Sequence, residues 1–249
     1  MAASMQRNNA GCSSGSRGEK ERVATALRAS RLLARLPSPD LCRLASEAVC
    51  VPRPAGGILF SRGDEADTLF IVASGHVGIF LGEPGDYACL AGTACSGDLL
   101  GEAGVVGVAA HPTSAQMLAA GELVAVPAAS MRRLMDERFE AVLALMSEMS
   151  LRIRRQVREI MDLKMKTAPQ RLAGHLAMLT PVQQGPAEVR LPYEKKLLAS
   201  QLGMQPETLS RALMKLQGLG VRNSNGSAVF RLRDVALLRH YASEDLGRE

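Results

Sequence analysis

Near one end of the chain, the stretch "SQLGMQPETLSRALMKLQGLGV" (200–221) gathers side chains suited to phosphates and base edges. It reads as two short helices joined by the turn "GMQ". Pro206 lacks an N–H, so it suits the first turn of the second helix, where that N–H has no intrahelical partner. Glu207 and Thr208 follow at the same N-terminus, where Thr208 and the unspent backbone N–H groups can hold a phosphate. Glu207, Ser210 and Arg211 are three and four residues apart and therefore share one helix face. Arg211 has the planar fork for guanine O6 and N7, and Glu207 can accept from cytosine N4. Leu209, Leu213 and Leu216 face the other way, toward a core. Lys195, Lys196, Gln205, Lys215 and Arg222 are candidates for phosphate or flanking contacts. The competing reading is a helix pair with a merely solvated charged face.

Charge distribution supports the first reading. The chain has 249 residues and a net charge of +5. Residues 51–130 hold two Lys/Arg against eight Asp/Glu, whereas residues 168–249 hold eleven against seven. An acidic middle followed by a basic end fits a polyanion partner for the end. With three Tyr, five Phe and no Trp, the chain lacks the aromatic faces of a stacking platform for single-stranded nucleic acid. No apolar run approaches a membrane span, and the N-terminus lacks the apolar core of a signal peptide, so the expected location is cytoplasmic with no membrane partner. Five cysteines, Cys12, Cys42, Cys50, Cys89 and Cys95, are odd in number and form no C-x-x-C pair. They read as free thiols in a reducing compartment. An iron–sulfur cluster needs several cysteines close together near one end, and Cys12 stands alone there, so none is expected. No nucleophile–base pair or metal-ligand spacing points to an enzyme.

The elements that would position these residues follow from periodicity. Residues 1–22 are polar and aperiodic and read as a disordered tail. Residues 23–130 read as a sensor unit with flanking helices. Apolar residues at helical spacing from Val23 to Val49 are interrupted by "PSPD", where Ser38 or Asp40 could cap the next turn. Short apolar runs punctuated by Gly and Asp then predict an antiparallel sandwich or barrel. Residues 131–167 predict one long helix, with no Gly or Pro for 36 residues. Along it, Val142, Met146, Met149, Ile153, Gln156, Ile160 and Leu163 alternate spacings of four and three, the seam of a two-stranded coiled coil and hence of a homodimer. Packing of that stripe on its own domain is the alternative, and both can hold at different heights. Residues 168–249 open with "TAPQ", a Thr167-to-Gln170 capping box with Pro169 inside the new helix. A strand "EVRL", the helix pair and a ribbon turning at "NSNGS" complete a winged helix-turn-helix.

In this order, the motifs resemble a known family. "LFSRGDEADTLFIVASGHVGIF" resembles the cyclic-nucleotide-binding-type β-roll, and "GDLLGEAGVVG" its phosphate cassette. "LLASQLGMQPETLSRALMKLQGLGV" resembles the helix-turn-helix of CRP/FNR-superfamily transcription regulators, and "QPETLSR" the Dnr-type branch that responds to nitric oxide. The match runs from about residue 32 to 240. The resemblance implies an α+β protein with an N-terminal β-roll, a long dimerisation helix and a C-terminal winged helix-turn-helix. It implies double-stranded DNA with an inverted repeat, a homodimer and RNA polymerase as partners, and an activator role. Glu207, Ser210 and Arg211 match the FNR-like reading of TTGAT half-sites, and Pro206 stands where the CRP-like set has a further Arg.

For the effector, the resemblance points to Gly101, Glu102, His111, Thr113 and Ser114 as the pocket. A cyclic nucleotide needs a cation for its buried phosphate. The family's Arg before Ser-Ala is Thr113 here, no Lys or Arg occurs between Arg62 and Arg132, and the base-contacting Thr-Ser pair is Gln156 and Val157. Cyclic AMP is therefore not the expected effector, although Glu102 retains the family's ribose contact. Heme is the remaining candidate through the Dnr-like resemblance, with His111 as the best-placed of four histidines. The Cys-x-His pair of carbon-monoxide-sensing members is absent, its places being Gly101 and Ala103. The alternatives are a cyclic-nucleotide-dependent regulator and a β-roll interaction module that binds no DNA.

Overall fold

The computed structural model describes residues 17–82, 89–223 and 228–244. The predicted ribbon turn at 224–227 and Cys12 in the tail lie outside the described residues. Helix α1 (Arg17–Ala29) begins inside the stretch expected to be a disordered tail. It buries Val23, Ala26 and Leu27, so tertiary contact stabilises a segment whose own composition is polar. Helix α2 (Ser38–Glu47) follows Pro37 with no side-chain cap. Asp40, a candidate cap, is instead 5% exposed and faces Arg138 at 3.5 Å.

The sensor sheet contains β1 (Val49–Arg53), β2 (Ile58–Phe60), β3 (Thr68–Leu81), β4 (Cys89–Ala94), β5 (Leu99–Leu100) and β6 (Ser114–Pro127). Its order is β1-β6-β3-β4, with β2 on β6 and β5 on β3, all antiparallel. The two long strands, β3 and β6, pair along most of their length and shift register around Ser74 to His76. Register shifts of this kind bend a strand, and here they let one pair serve both layers of the roll. The bend requires glycine: a Cβ on Gly121 would lie 2.1 Å from the Ser74 carbonyl oxygen, and Gly75 has φ +88°. One sheet face packs on α1, α2 and the following helices through Leu27, Leu44, Ile71 and Val124. The roll interior is filled by Phe60, Val72, Val77, Leu100, Met117 and Leu123.

Where one continuous helix is predicted, the chain forms two, α3 (Ala128–Glu137) and α4 (Phe139–Met165). Arg138 between them is extended (φ −133°, ψ 106°). Neither Gly nor Pro marks the break. The Arg138 guanidinium lies 3.5 Å from the buried Asp40 carboxylate, and the Arg138 backbone N–H donates to Leu134 O at 2.9 Å. Beyond the break, α4 packs on the sensor through Ala141, Ala144 and Leu145. From Leu151 onward its apolar residues are exposed.

The C-terminal unit contains α5 (Ala168–Met178), β7 (Ala187–Arg190), α6 (Lys195–Gln201), α7 (Pro206–Gln217), β8 (Val221–Asn223), β9 (Val229–Leu232) and α8 (Val235–Ser243). The predicted capping box is formed: the Thr167 N–H donates to Gln170 Oε1 at 2.9 Å. Strands β7, β9 and β8 form the wing sheet. Leu172, Leu176, Leu198, Leu216 and Phe230 form the centre of this domain's core. Helix α6 also rests on the sensor, where the Leu90 N–H donates to Ser200 Oγ at 3.2 Å.

Candidate nucleic-acid interface and sensor site

The turn between α6 and α7 depends on Gly203, at φ +60°, where a side chain is strained. The Met204 N–H closes the turn on Ala199 O at 2.9 Å. Helix α7 then buries Leu209, Ala212 and Leu216. The period of the helix turns Glu207, Ser210, Arg211 and Lys215 outward, and all four are exposed. Ser210 Oγ donates back to Pro206 O at 3.0 Å, which leaves its oxygen lone pairs free to accept. Thr208 is half-buried beside them. Gln205 is the N-cap but makes no side-chain cap bond, so the first-turn N–H groups remain available to an anion.

The surrounding cations divide. Lys215 and Arg222 are exposed and flank the row. Lys196 is exposed on α6. Lys195 is half-buried and engaged within the domain: its ammonium donates to Asn223 Oδ1 at 2.5 Å and lies 5.8 Å from the Phe230 ring centroid. It therefore ties α6 to the base of the wing.

Behind this surface lies a polar network that periodicity alone did not reveal. His175 is 9% exposed, and its Nε2 lies 3.1 Å from the Tyr193 hydroxyl. The Tyr193 hydroxyl donates in turn to Gln201 Oε1. With the single phenol proton committed to Gln201, the imidazole Nε2–H is the donor to Tyr193. Burial pushes the His175 pKa down to about 4 and pushes that of the Tyr193 phenol up. A neutral network thus joins α5 and α6 to the loop between them.

In the sensor, Gly101 has φ +81°, and a Cβ there would lie 2.4 Å from Thr68 O. Glu102 follows at the start of a 3-10 turn. Its Oε1 accepts from Arg152 Nη1 of α4 at 2.5 Å, while Arg132 Nη1 of α3 donates to Gly104 O at 2.7 Å. Two helix cations therefore meet a cassette whose own sequence contains none. Thr113 is half-buried. Ser114 is fully buried, and its Oγ accepts from the Arg62 N–H at 2.9 Å. His111 is 4% exposed, with its ring flat on Phe60 at a centroid distance of 3.7 Å. Burial lowers its pKa, opposed by the nearby carboxylates of Asp64, Asp67 and Glu102. Gly101, Glu102, Thr113, Ser114 and His111 are thus gathered at one end of the roll, with Ser114 and His111 committed to the fold.

Residues 51–138 match the cyclic nucleotide-binding domain, and residues 170–241 match the Crp-like helix-turn-helix domain. Over 183 residues the chain is 30% identical to the fumarate and nitrate reduction regulatory protein of Escherichia coli (strain K12), covering 72% of each. The chain belongs to the CRP/FNR superfamily. It is a DNA-binding transcription regulator with a cyclic-nucleotide-binding-like sensor, as its relatives are regulators and not enzymes. A solved structure from Ruegeria pomeroyi, named as a cyclic nucleotide binding protein, is 31% identical. The two superpose with a TM-score of 0.67 over 90% of this chain and 99% of that one. FixK2 from Bradyrhizobium japonicum, 18% identical with a TM-score of 0.69 over 79% of this chain and 98% of that one, shares the fold. In CRP/FNR terms, Arg152 and Arg132 are what the sequence missed at the cassette. Both were visible as helix cations, but nothing local placed them there. Among the described residues no helix is long and apolar enough to cross a membrane, and no group of three or more His, Cys, Asp or Glu could hold a metal.

Proposed function

We propose that this regulator acts as a homodimer that reads an FNR-like inverted repeat of TTGAT half-sites through α7. The observation that carries this reading is the outward row of Glu207, Ser210 and Arg211 on a helix whose opposite face is buried. A carboxylate and a guanidinium one turn apart can read cytosine N4 and guanine O6/N7 of neighbouring base pairs. The half-buried or exposed stripe Val142, Met146, Met149, Ile153, Gln156, Ile160 and Leu163 supplies the dimer seam. Its upper part borders an apolar groove of about 610 Å³ lined by Val106, Met146, Met149 and Ile153, which the second copy's α4 fills. The dimer recruits RNA polymerase as an activator.

The effector is a small molecule other than a cyclic nucleotide. Thr113 offers no charge to a phosphate, the Ser114 hydroxyl is already bonded, and Glu102 is paired with Arg152. The Glu102–Arg152 pair joins the cassette to α4, so an effector that displaces either partner acts on the dimer helix. Heme coordination at His111 would require the cassette loop to open, because the ring is 4% exposed and packs one face on Phe60. Selection of bound duplexes from a random pool tests the reading. Enrichment of a TTGAT inverted repeat is expected, and a pool that remains unenriched overturns it.

A further inference from the structure

One side chain on the outward face of α7 is not explained by polar recognition. Met214 is 63% exposed. At 3.6 residues per turn it lies about 20° around the helix from Glu207, turned away from buried Leu209, Ala212 and Leu216. It therefore sits in the middle of the face that carries Ser210, Arg211 and Lys215. A methionine there has neither charge for a phosphate nor a proton for a base edge. Its thioether chain is apolar and adapts to the shape it meets. The apolar feature of the major groove is the thymine C5 methyl.

Along the axis, three residues of helix carry Met214 about 4.5 Å beyond Arg211, comparable with the ~3.4 Å between base pairs along one strand. We infer that Met214 is a specificity-determining residue that covers the methyl group of a thymine close to the base pair contacted by Arg211. The inference rests on α7 being the DNA-reading helix. It adds a hydrophobic term to a recognition surface otherwise made of hydrogen-bonding groups.

The test uses duplexes carrying the TTGAT…ATCAA repeat in which the thymines of one half-site, on both strands, are replaced singly by uracil. Uracil keeps the pairing edge and O4 and lacks only the methyl. At one thymine the unmodified protein loses about fourfold in affinity, the equivalent of one buried methyl at ~0.8 kcal/mol. Met214→Ala binds the thymine and uracil duplexes equally at that position, and Met214→Leu restores a preference for thymine. The same uracil penalty in Met214→Ala, or indifference of the unmodified protein at every thymine, overturns the inference. A duplex changed at the guanine separates the two levels. If guanine dependence persists while methyl dependence is absent, only the role of Met214 falls. If no duplex is preferred over an unrelated one, the reading of α7 falls, and the inference with it.

Discussion

Ile153→Lys tests the dimer seam at its apolar centre. Ile153 exposes 59% of its surface in the protomer, with Met149 half-buried and Ile160 52% exposed along the same stripe. Complete burial of an isoleucine side chain contributes ~1.5–3 kcal/mol. Covering the exposed fraction in a dimer is then worth about 1–2 kcal/mol per protomer, or about 2–4 kcal/mol for the symmetric pair. At 1.4 kcal/mol per decade, loss of that burial alone weakens association by roughly 30- to 1,000-fold. Two facing ammonium groups in a desolvated seam add a penalty of several kcal/mol. The variant should sediment as a monomer at micromolar concentration with its helical circular dichroism intact, and Ile153→Leu should remain a dimer. A folded Ile153→Lys protein with an unchanged dimer dissociation constant would refute the seam.

Three further outcomes follow. His175 is held near pKa 4 in the folded protein against 6.5 when exposed, so below pH 6.5 the unfolded chain takes up a proton that the folded chain does not. Its contribution is complete above pH 6.5 and lost as pH falls toward 4, by about 3 kcal/mol in all. The urea midpoint of the C-terminal domain should follow that window, and His175→Gln should flatten it; an unaltered slope in the variant would exclude His175 as the cause. Arg138→Ala leaves the Asp40 carboxylate without its balancing cation and should cost about 1–3 kcal/mol, discounted because the Arg138 side chain is 54% exposed. Asp40→Asn should remove most of that cost in a double-mutant cycle, and additive effects would count against the pairing. Calorimetry with cyclic AMP or cyclic GMP up to millimolar concentration should show no specific heat, whereas a micromolar dissociation constant would mean that Arg152 or Arg132 turns to the phosphate.

The C-terminal domain was legible because its signals are local. Thr167 and Gln170 form their box within one turn, Gly203 takes the left-handed turn, and Leu209 and Leu216 repeat at helical spacing. The β-roll was legible as a class from its glycine-punctuated runs, but not in register, because the bend at Gly75 and Gly121 depends on two strands meeting. What remained hidden is tertiary. Arg138 is extended between good helix formers on both sides and faces Asp40, which is remote in the chain. Arg152 reaches Glu102 across 50 residues, a separation that no local pattern in the sequence encodes. His175 looked like any helix-end histidine until Tyr193 and the packing of α6 enclosed it.

The central claim is that α7 reads sequence and does not simply hold the backbone. Binding titrations of Arg211→Ala over several salt concentrations, on the TTGAT…ATCAA duplex and on one changed at the guanine, test it most directly. Loss of a guanine contact should cost about 1–3 kcal/mol on the intact site and little on the altered one, so that the preference at that base pair flattens. Lys196→Ala or Lys215→Ala, as phosphate contacts, should weaken both duplexes alike and lower the salt dependence by about one unit. If Arg211→Ala weakens both duplexes equally, Arg211 is an anchor and the base-reading role assigned to α7 is wrong.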